Sequence, residues 1–360
     1  MSLEEVDSEI YEILHKEKFR QISCLNLIGG ENYITAPVLK TLSCCTSNNY
    51  ADGYVGSRHG HSTTYIDQLE RICQERALAL FGLDQNLWSV NVQPHSASGA
   101  NLAAFLGAVG KGGRIMGLDV ADGGHRTHGL FNREKKIAAT SIFFETMPYK
   151  TNPETELIDF VELNRLASLF KPELIIAGTS AYSRLLDYQE FRKICDKNGA
   201  LLLADIAHIG GMIAAGVMPS PFDFADIVTT TMHKSMQGPR LGLIFVRKDR
   251  GDLVQRINAA VYPALQSSPH LNVIAAAAVA LKEAMSPRFQ QCQRQVLLNA
   301  KSLSDKLQQL GYSVITGGTN THLVLLNVSN LNMNREKLGY IMDEAGLLVS
   351  RRPTPNGITP

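Results

Sequence analysis

The chain has 360 residues, 44% hydrophobic and 19% charged, with a formal net charge of +1. That is an ordinary globular composition, long enough for one large domain or two to three smaller ones, with a core that needs no disulfide or metal staple. A charge so near zero gives no electrostatic reason to expect a nucleic acid or an anionic membrane as partner.

The N-terminal stretch MSLEEVDSEIYEIL is acidic and lacks an apolar h-region, so neither a secretory signal nor a mitochondrial presequence is expected. Residues 3–20 place Val6, Ile10, Ile13, Leu14 and Phe19 at helical spacing, which predicts an amphipathic arm. IDQLERICQERALALF, residues 66–81, predicts a second helix with an apolar stripe. Short apolar runs then alternate with helical stretches. The runs are 114–119, 140–149, 173–182, 200–208, 226–234 and 241–248, with a helix predicted over 187–199. Strand, helix, strand alternation predicts an α/β fold whose sheet is largely parallel and covered on both faces. Beyond about residue 270 the pattern changes to long helices over 273–284 and 290–310, with SVITGG and HLVLLNVS read as strands. The expected division is a helical arm (1–25), a large α/β domain (26–268) and a small, incomplete α+β domain (269–360).

Six cysteines, at 24, 44, 45, 73, 195 and 292, show no CxxC spacing, and read as reduced thiols in a cytoplasmic setting. No metal-ligand motif stands out, and the alanine-rich run at 274–281 is too short to span a membrane.

In open α/β sheets, ligands sit beyond the carboxyl ends of the strands. Asp205 falls at the end of ALLLAD with His208 three residues on, His233 and Lys234 end DIVTTTMHK, and Ser180 ends ELIIAGTS. Each alone has a plainer explanation: a strand-end Asp caps turns, serines cap helices, a lysine can be solvated. In combination they point elsewhere. An unpaired ammonium at a buried strand end is costly, and bonding it to an aldehyde removes the cost. Pyridoxal phosphate needs such an amine, a carboxylate to keep its ring nitrogen protonated, and amide donors for its phosphate. Lys234, Asp205 and the small-residue turn Ser96-Ala97-Ser98, which opens a helix, match that inventory.

The stretch IVTTTMHKSMQGPRLGLIF resembles the lysine motif of the serine hydroxymethyltransferase family. The likeness continues through KPELIIAGTSAYSRLLDYQEFRKICD, LLLADIAHIGGMIAAGVMPSPFDFAD, RIMGLDVADGGHRTHG, CLNLIGGENY and NNYADGYVGSR, and GLDQNLWSVNVQPHS looks like the eukaryotic branch. The resemblance implies a fold-type-I pyridoxal-phosphate transferase with a seven-stranded, mostly parallel sheet. It implies transfer of a one-carbon unit between serine and glycine with tetrahydrofolate as co-substrate. A homodimer or homotetramer with shared sites is implied as well.

By position, the resemblance makes Lys234 the Schiff-base lysine and Asp205 the partner of the ring nitrogen. His208 and Ser180 lie near the phenolic oxygen, and His125 stacks on the ring. Ser96, Ala97 and Ser98 form the phosphate cup, His233 neighbours the lysine, and Arg240 is an active-site arginine. Tyr50 is lent by the neighbouring subunit, and Asp52 stands where the family has its catalytic glutamate.

Several positions depart from the family pattern. LIASEN reads LIGGEN, so Gly30 replaces a serine that contacts the substrate carboxylate. RYYGG reads Arg58-His59-Gly60-His61-Ser62, and the glycine loop PGGQGGP reads PALQSSP at 263–269, which weakens the expected phosphate grip from that side. Ala97 replaces a glycine of the cup. Family members continue beyond the point where this sequence stops, and that part carries the arginine that forks the amino-acid carboxylate. Arg351 and Arg352 are candidates to replace it, and an exposed chain end is the plainer reading. Three readings follow: a working transferase, an impaired paralogue that keeps fold and cofactor and pairs with a full-length relative as a hetero-oligomer, or a folate-independent aldolase for β-hydroxy amino acids.

Overall fold

The computed structural model describes residues 1–331 and 335–351. The predicted arm is helical in two pieces, Leu3–Val6 and α1 (Ser8–Ser23), separated at Asp7. The Asp7 carboxylate accepts from the Ile10 amide at 3.0 Å and so caps the second piece. No residue of either piece is buried. Two helices precede the sheet, α2 (Ala36–Leu42) and α3 (Thr64–Leu80), the second close to the predicted 66–81.

The main sheet has seven strands: β1 (Trp88–Asn91), β2 (Arg114–Leu118), β3 (Glu145–Tyr149), β4 (Leu174–Gly178), β5 (Leu201–Asp205), β6 (Ile227–Thr231) and β7 (Gly242–Arg247). Their spatial order is β1-β7-β6-β5-β4-β2-β3, parallel except where β7 runs antiparallel to β1 and β6. The α/β prediction therefore holds, with β5 at the centre. α4 (Ala97–Val109), α5 (Phe160–Phe170), α6 (Tyr188–Asn198) and α7 (Leu253–Ala259) connect or flank the strands. After them come α8 (Leu271–Ala284), α9 (Pro287–Gln309) and α10 (Arg335–Glu344).

Consecutive strand residues bury on opposite faces. Leu203, Ile176 and Ile244 join α4 and α7 on one side, while Leu202, Ala204, Ile175 and Phe245 join the larger core on the other. Both faces are covered, which is why these strands read as continuous apolar runs. Among the described residues no helix is long and apolar enough to cross a membrane.

Two expectations are corrected and one strand is added. The run 140–149 is a strand only over its second half: Ala139–Phe143 is a helical turn, stapled by the Ser141 hydroxyl to the carbonyls of Leu130 and Ala138 at 2.8 Å each. Strand β1 falls outside the predicted runs. SVITGG and HLVLLNVS pair only through Ser313–Val314 and Leu326–Asn327. Between these, Thr316 takes a left-handed φ of 62°, and Asn320 and Thr319 bond to the Ser183 carbonyl at 2.8 and 3.2 Å. Tertiary hydrogen bonds hold this stretch against the large sheet in place of a strand ladder.

One buried ion cluster organises the segment that precedes α3. The Arg58 side chain is 2% exposed and donates to Glu70 Oε2 at 2.5 Å and to Asp67 Oδ1 at 2.9 Å. Its remaining nitrogen donates to the carbonyls of Ala51 and Gly53 at 3.0 and 2.6 Å, and Gln93 Nε2 adds a bond to Glu70 at 3.0 Å. Removing one member strands a buried charge. Glu70→Ala is therefore expected to lower the unfolding free energy by about 3–5 kcal/mol in urea titration.

Candidate active site

The site grows from the end of the central strand. Asp205, the last residue of β5, is 6% exposed. Its Oδ2 accepts from Asn101 Nδ2 and from His128 Nε2, each at 2.9 Å, and its Oδ1 accepts from the Ala207 amide at 3.0 Å. Asn101 sits on α4, where its Oδ1 accepts from the Thr229 hydroxyl of β6 at 2.7 Å. Asn101 Nδ2 also reaches Thr127 Oγ1 at 2.9 Å, which leaves the Thr127 proton for His125 Nδ1 at 2.7 Å.

Two glycines make room for this pair. A Cβ on Gly178, the register partner of Asp205, would lie 2.6 Å from the Asp205 Cβ, and one on Gly117 would lie 2.7 Å from the His128 Cβ. Burial pushes the Asp205 carboxyl up. The His128 hydrogen bond and charge, the His125 charge and the Asn101 amide outweigh burial and hold it well below the usual carboxylate range. His125, His128 and Asp205 also bring three possible metal-ligand atoms within 4.8 Å of one another. Hydrogen bonds among Asp205, His128, Asn101 and Thr127 already use several of them.

Past Asp205 the chain turns through His208, which is 7% exposed and lies 3.3 Å from the Ser180 hydroxyl at the end of the neighbouring strand. Lys234 follows β6 by three residues and is partly buried. Gly30 joins the two: a Cβ built there would rest 3.7 Å from His208 Cε1 and 3.8 Å from Lys234 Cε. The Lys234 carbonyl accepts from Asn32 Nδ2 at 3.1 Å, tying the 30–32 turn to the lysine. His233 bonds the Thr231 hydroxyl at 2.7 Å through Nδ1, and burial with the charges of Arg240 and Lys234 pulls its pKa down to about 4.

Ser96 is the N-cap of α4, its Oγ accepting from the Gly99 amide at 3.1 Å, and Ala97 and Ser98 form the first turn. Ser96 and Ser98 are exposed. Arg240 is exposed. Tyr50 is 75% exposed. Asp52 makes its side-chain contact with Ser267, at 3.3 and 3.4 Å. The structure thus brings His208 and Lys234 together at Gly30 and Ser180 onto His208, leaves Asp205 in its own cluster with His128 and Asn101 at the end of β5, and sets Tyr50 and Asp52 in a segment held by the loop at 266–268. Arg351 lines a recess with Arg20, Glu31 and Tyr340, and its side chain packs on Gly339. Arg352 lies outside the described residues. A cavity of about 480 Å³ bordered by Ile158, Tyr182, Arg184 and Thr316 includes none of the Lys234 cluster.

Sequence reasoning missed His128, Asn101, Thr229 and His322. His128 stands in the quoted block DGGHRTHG, so its signal was available three residues after His125. Asn101 lies one helical turn after Ala97, on the same face of α4. His322 had no local signal. It meets the Gly29 carbonyl through Nε2 at 2.9 Å, and its ring lies 5.9 Å from that of His208 at 20°.

The profile of the family described as serine hydroxymethyltransferase matches residues 3–359. The cytosolic serine hydroxymethyltransferase of Oryctolagus cuniculus is 47% identical over 98% of this chain and 75% of its own length. The Caenorhabditis elegans serine hydroxymethyltransferase is 46% identical over 99% of this chain and 73% of its own length, and the mitochondrial form of Schizosaccharomyces pombe is 44% identical over 98% and 75%. The chain belongs to the serine hydroxymethyltransferase family.

The two histidines around Lys234 give the site a pH signature. Burial is also the first cause that brings His322 down to about 4, with the Lys234 charge adding to it against the Gly29 hydrogen bond. Both rings stay neutral in the folded protein at pH values where the unfolded chain, near 6.5, takes up a proton. Their contribution is complete above about 6.5 and is lost as pH falls toward 4. Urea unfolding across that window is expected to show stability falling with pH, with a shallower slope in His322→Gln.

Proposed function

We propose that this chain interconverts serine and glycine with pyridoxal 5'-phosphate as cofactor and tetrahydrofolate as one-carbon acceptor. The observation that carries the reading is the space beside Gly30. A single Cβ there would touch both Lys234 and His208, and Asp205 ends the strand three residues before that histidine.

The residues present fit the cofactor. Asp205 has three donors among the described residues, and a carboxylate offers about four acceptor positions, so one is left for a ring N–H. A phosphate-sized anion would find the Ser96 and Ser98 hydroxyls at the first turn of a 13-residue helix. Lys234 would hold the cofactor through its amine, Asp205 its ring nitrogen, Ser96, Ala97 and Ser98 its phosphate, and His125 the ring face. Ser180 and His208 would hold its phenolic oxygen, with His233 and Arg240 flanking the lysine. When bound, the group supplies an electron sink for the pair left on the amino acid's α-carbon.

The protein's own contributions follow from charge and placement. Asp205 stays ionised because His128 and Asn101 donate to it, so it keeps a proton on the atom it faces. His233 stays neutral near neutral pH and adds no second positive charge beside Lys234. Asp52 takes the part of the carboxylate that holds or moves the proton of the substrate hydroxyl.

Tyr50 and the arm support an assembly with shared sites. Tyr50 is 75% exposed, and α1 shows Ile10, Ile13, Leu14 and Phe19 between 46% and 71% exposed. A second copy covering these exposed apolar side chains, with Tyr50 lent to its site, gives a homodimer or homotetramer in this reading. The division into an arm, a large domain through residue 268 and a small C-terminal domain is part of this proposal, as is a cytoplasmic setting.

Addition of pyridoxal phosphate to the wild-type protein is expected to give a visible absorption band that Lys234→Ala lacks. The holoprotein is expected to transfer the serine carbon to tetrahydrofolate, and Asp205→Asn to lower that rate by roughly a hundredfold or more. Cleavage of β-hydroxy amino acids without any folate-dependent transfer would replace this reading with the aldolase. A cofactor-bound protein with neither reaction would leave the impaired paralogue.

A further inference from the structure

The loop at 266–270 is bound into its own protomer through side chains. Gln266 Nε2 donates to the Gln93 carbonyl at 2.7 Å, and Gln266 Oε1 accepts from the His95 amide at 3.4 Å. His95 Nε2 lies 3.3 Å from the Ser268 carbonyl. The His95 ring stacks on His270, with centroids 4.0 Å apart and planes 2° from parallel. This ties the loop to the turn that leads into Ser96 and α4.

From that fixed loop two hydroxyls reach the segment at 50–52. Ser268 Oγ accepts from the Ala51 amide at 2.7 Å, and Ser267 Oγ lies 3.3 and 3.4 Å from the two Asp52 oxygens. Ala51 is 2% exposed, and its carbonyl accepts from Arg58 at 3.0 Å. The peptide groups on both sides of Ala51 are therefore held, one by Ser268 and one by the buried Arg58. The flanking side chains are Tyr50 and Asp52, so their starting points are set by Ala51. The Ser267 contact is long and exposed, and a long hydroxyl–carboxylate contact orients little. The Ser268 bond is short and partly buried, and it satisfies a buried amide that a residue without a side-chain acceptor would leave unpaired.

We propose that Ser268 is a positioning residue, which acts through the Ala51 amide to set the Tyr50 and Asp52 side chains for the reaction. This rests on the reading of those two side chains as site residues. A positional error of about 1 Å in such a group can cost of order a hundredfold in rate, so one backbone tether has leverage on turnover without touching substrate.

The test compares wild type, Ser268→Ala and Ser268→Thr as full-length holoenzymes. Amide hydrogen exchange is read by mass spectrometry on the peptide covering 49–53, together with serine turnover and the thermal midpoint. Ser268→Ala is expected to speed exchange at Ala51 about fivefold. It is expected to lower kcat by roughly ten- to a hundredfold with little change in KM for serine, and to move the thermal midpoint by less than about 4 °C. Ser268→Thr keeps the hydroxyl and is expected to restore both exchange protection and kcat. Unchanged exchange in Ser268→Ala overturns the tether, and faster exchange with unchanged kcat overturns its role in the reaction. A wild-type protein inactive toward serine would sink the functional reading instead, and the exchange comparison would still decide the tether.

Discussion

The buried carboxylate of Asp205 is the constraint around which the rest is arranged. A carboxylate at the centre of a seven-stranded sheet, 6% exposed, is tolerable only where donors surround it. Those donors come from three places: α4 through Asn101, the loop after β2 through His128, and the amide of Ala207. Asn101 is held in turn by the Thr229 hydroxyl and by Thr127, which also meets His125. Gly178 and Gly117 are part of the same arrangement, because any side chain there would occupy the space of the pair. The charge at position 205 is thus a property of the packed sheet as a whole.

Lys234 is set by a different part of the chain. The turn at 29–32 reaches it through Asn32, and the same turn is held from the far side by His322 on the Gly29 carbonyl. Segments near residues 30, 208, 234 and 322 therefore meet around one amine, so its surroundings depend on the small C-terminal region as well as on the sheet. The low proton affinity of His233 and His322 expresses this closeness: both are depressed first by burial and then by a neighbouring positive charge.

The departures from the family pattern sort by their physical setting. Gly30 leaves an ordinary van der Waals space between His208 and Lys234, so a side chain there is absent without being sterically forbidden. The substituted loop at 263–269 has exchanged glycines for serines whose hydroxyls bond the 51–52 segment, and for a neighbourhood in which two imidazoles stack. Loss of glycine there changes what the loop holds as well as what it can approach.

Much of this was legible in the residues alone. Apolar runs of five or six between helical stretches determine an α/β sheet covered on both faces, because only such a sheet buries every strand residue. Strand-end polar residues then mark the carboxyl edge, which is what singles out Lys234, Asp205, His208 and Ser180 in the sequence. The tertiary structure alone decided which donors surround Asp205, and that His322 reaches back to Gly29. It decided that Ala139–Phe143 turns as a helix, and that the stretch around Thr316 docks on Ser183 and Arg184 without forming a long strand. The physical reason is the same in each case. Periodicity records which face of a segment is buried, whereas the hydrogen-bond partners of side chains, near or far along the sequence, are chosen only when the packed chain brings them within reach.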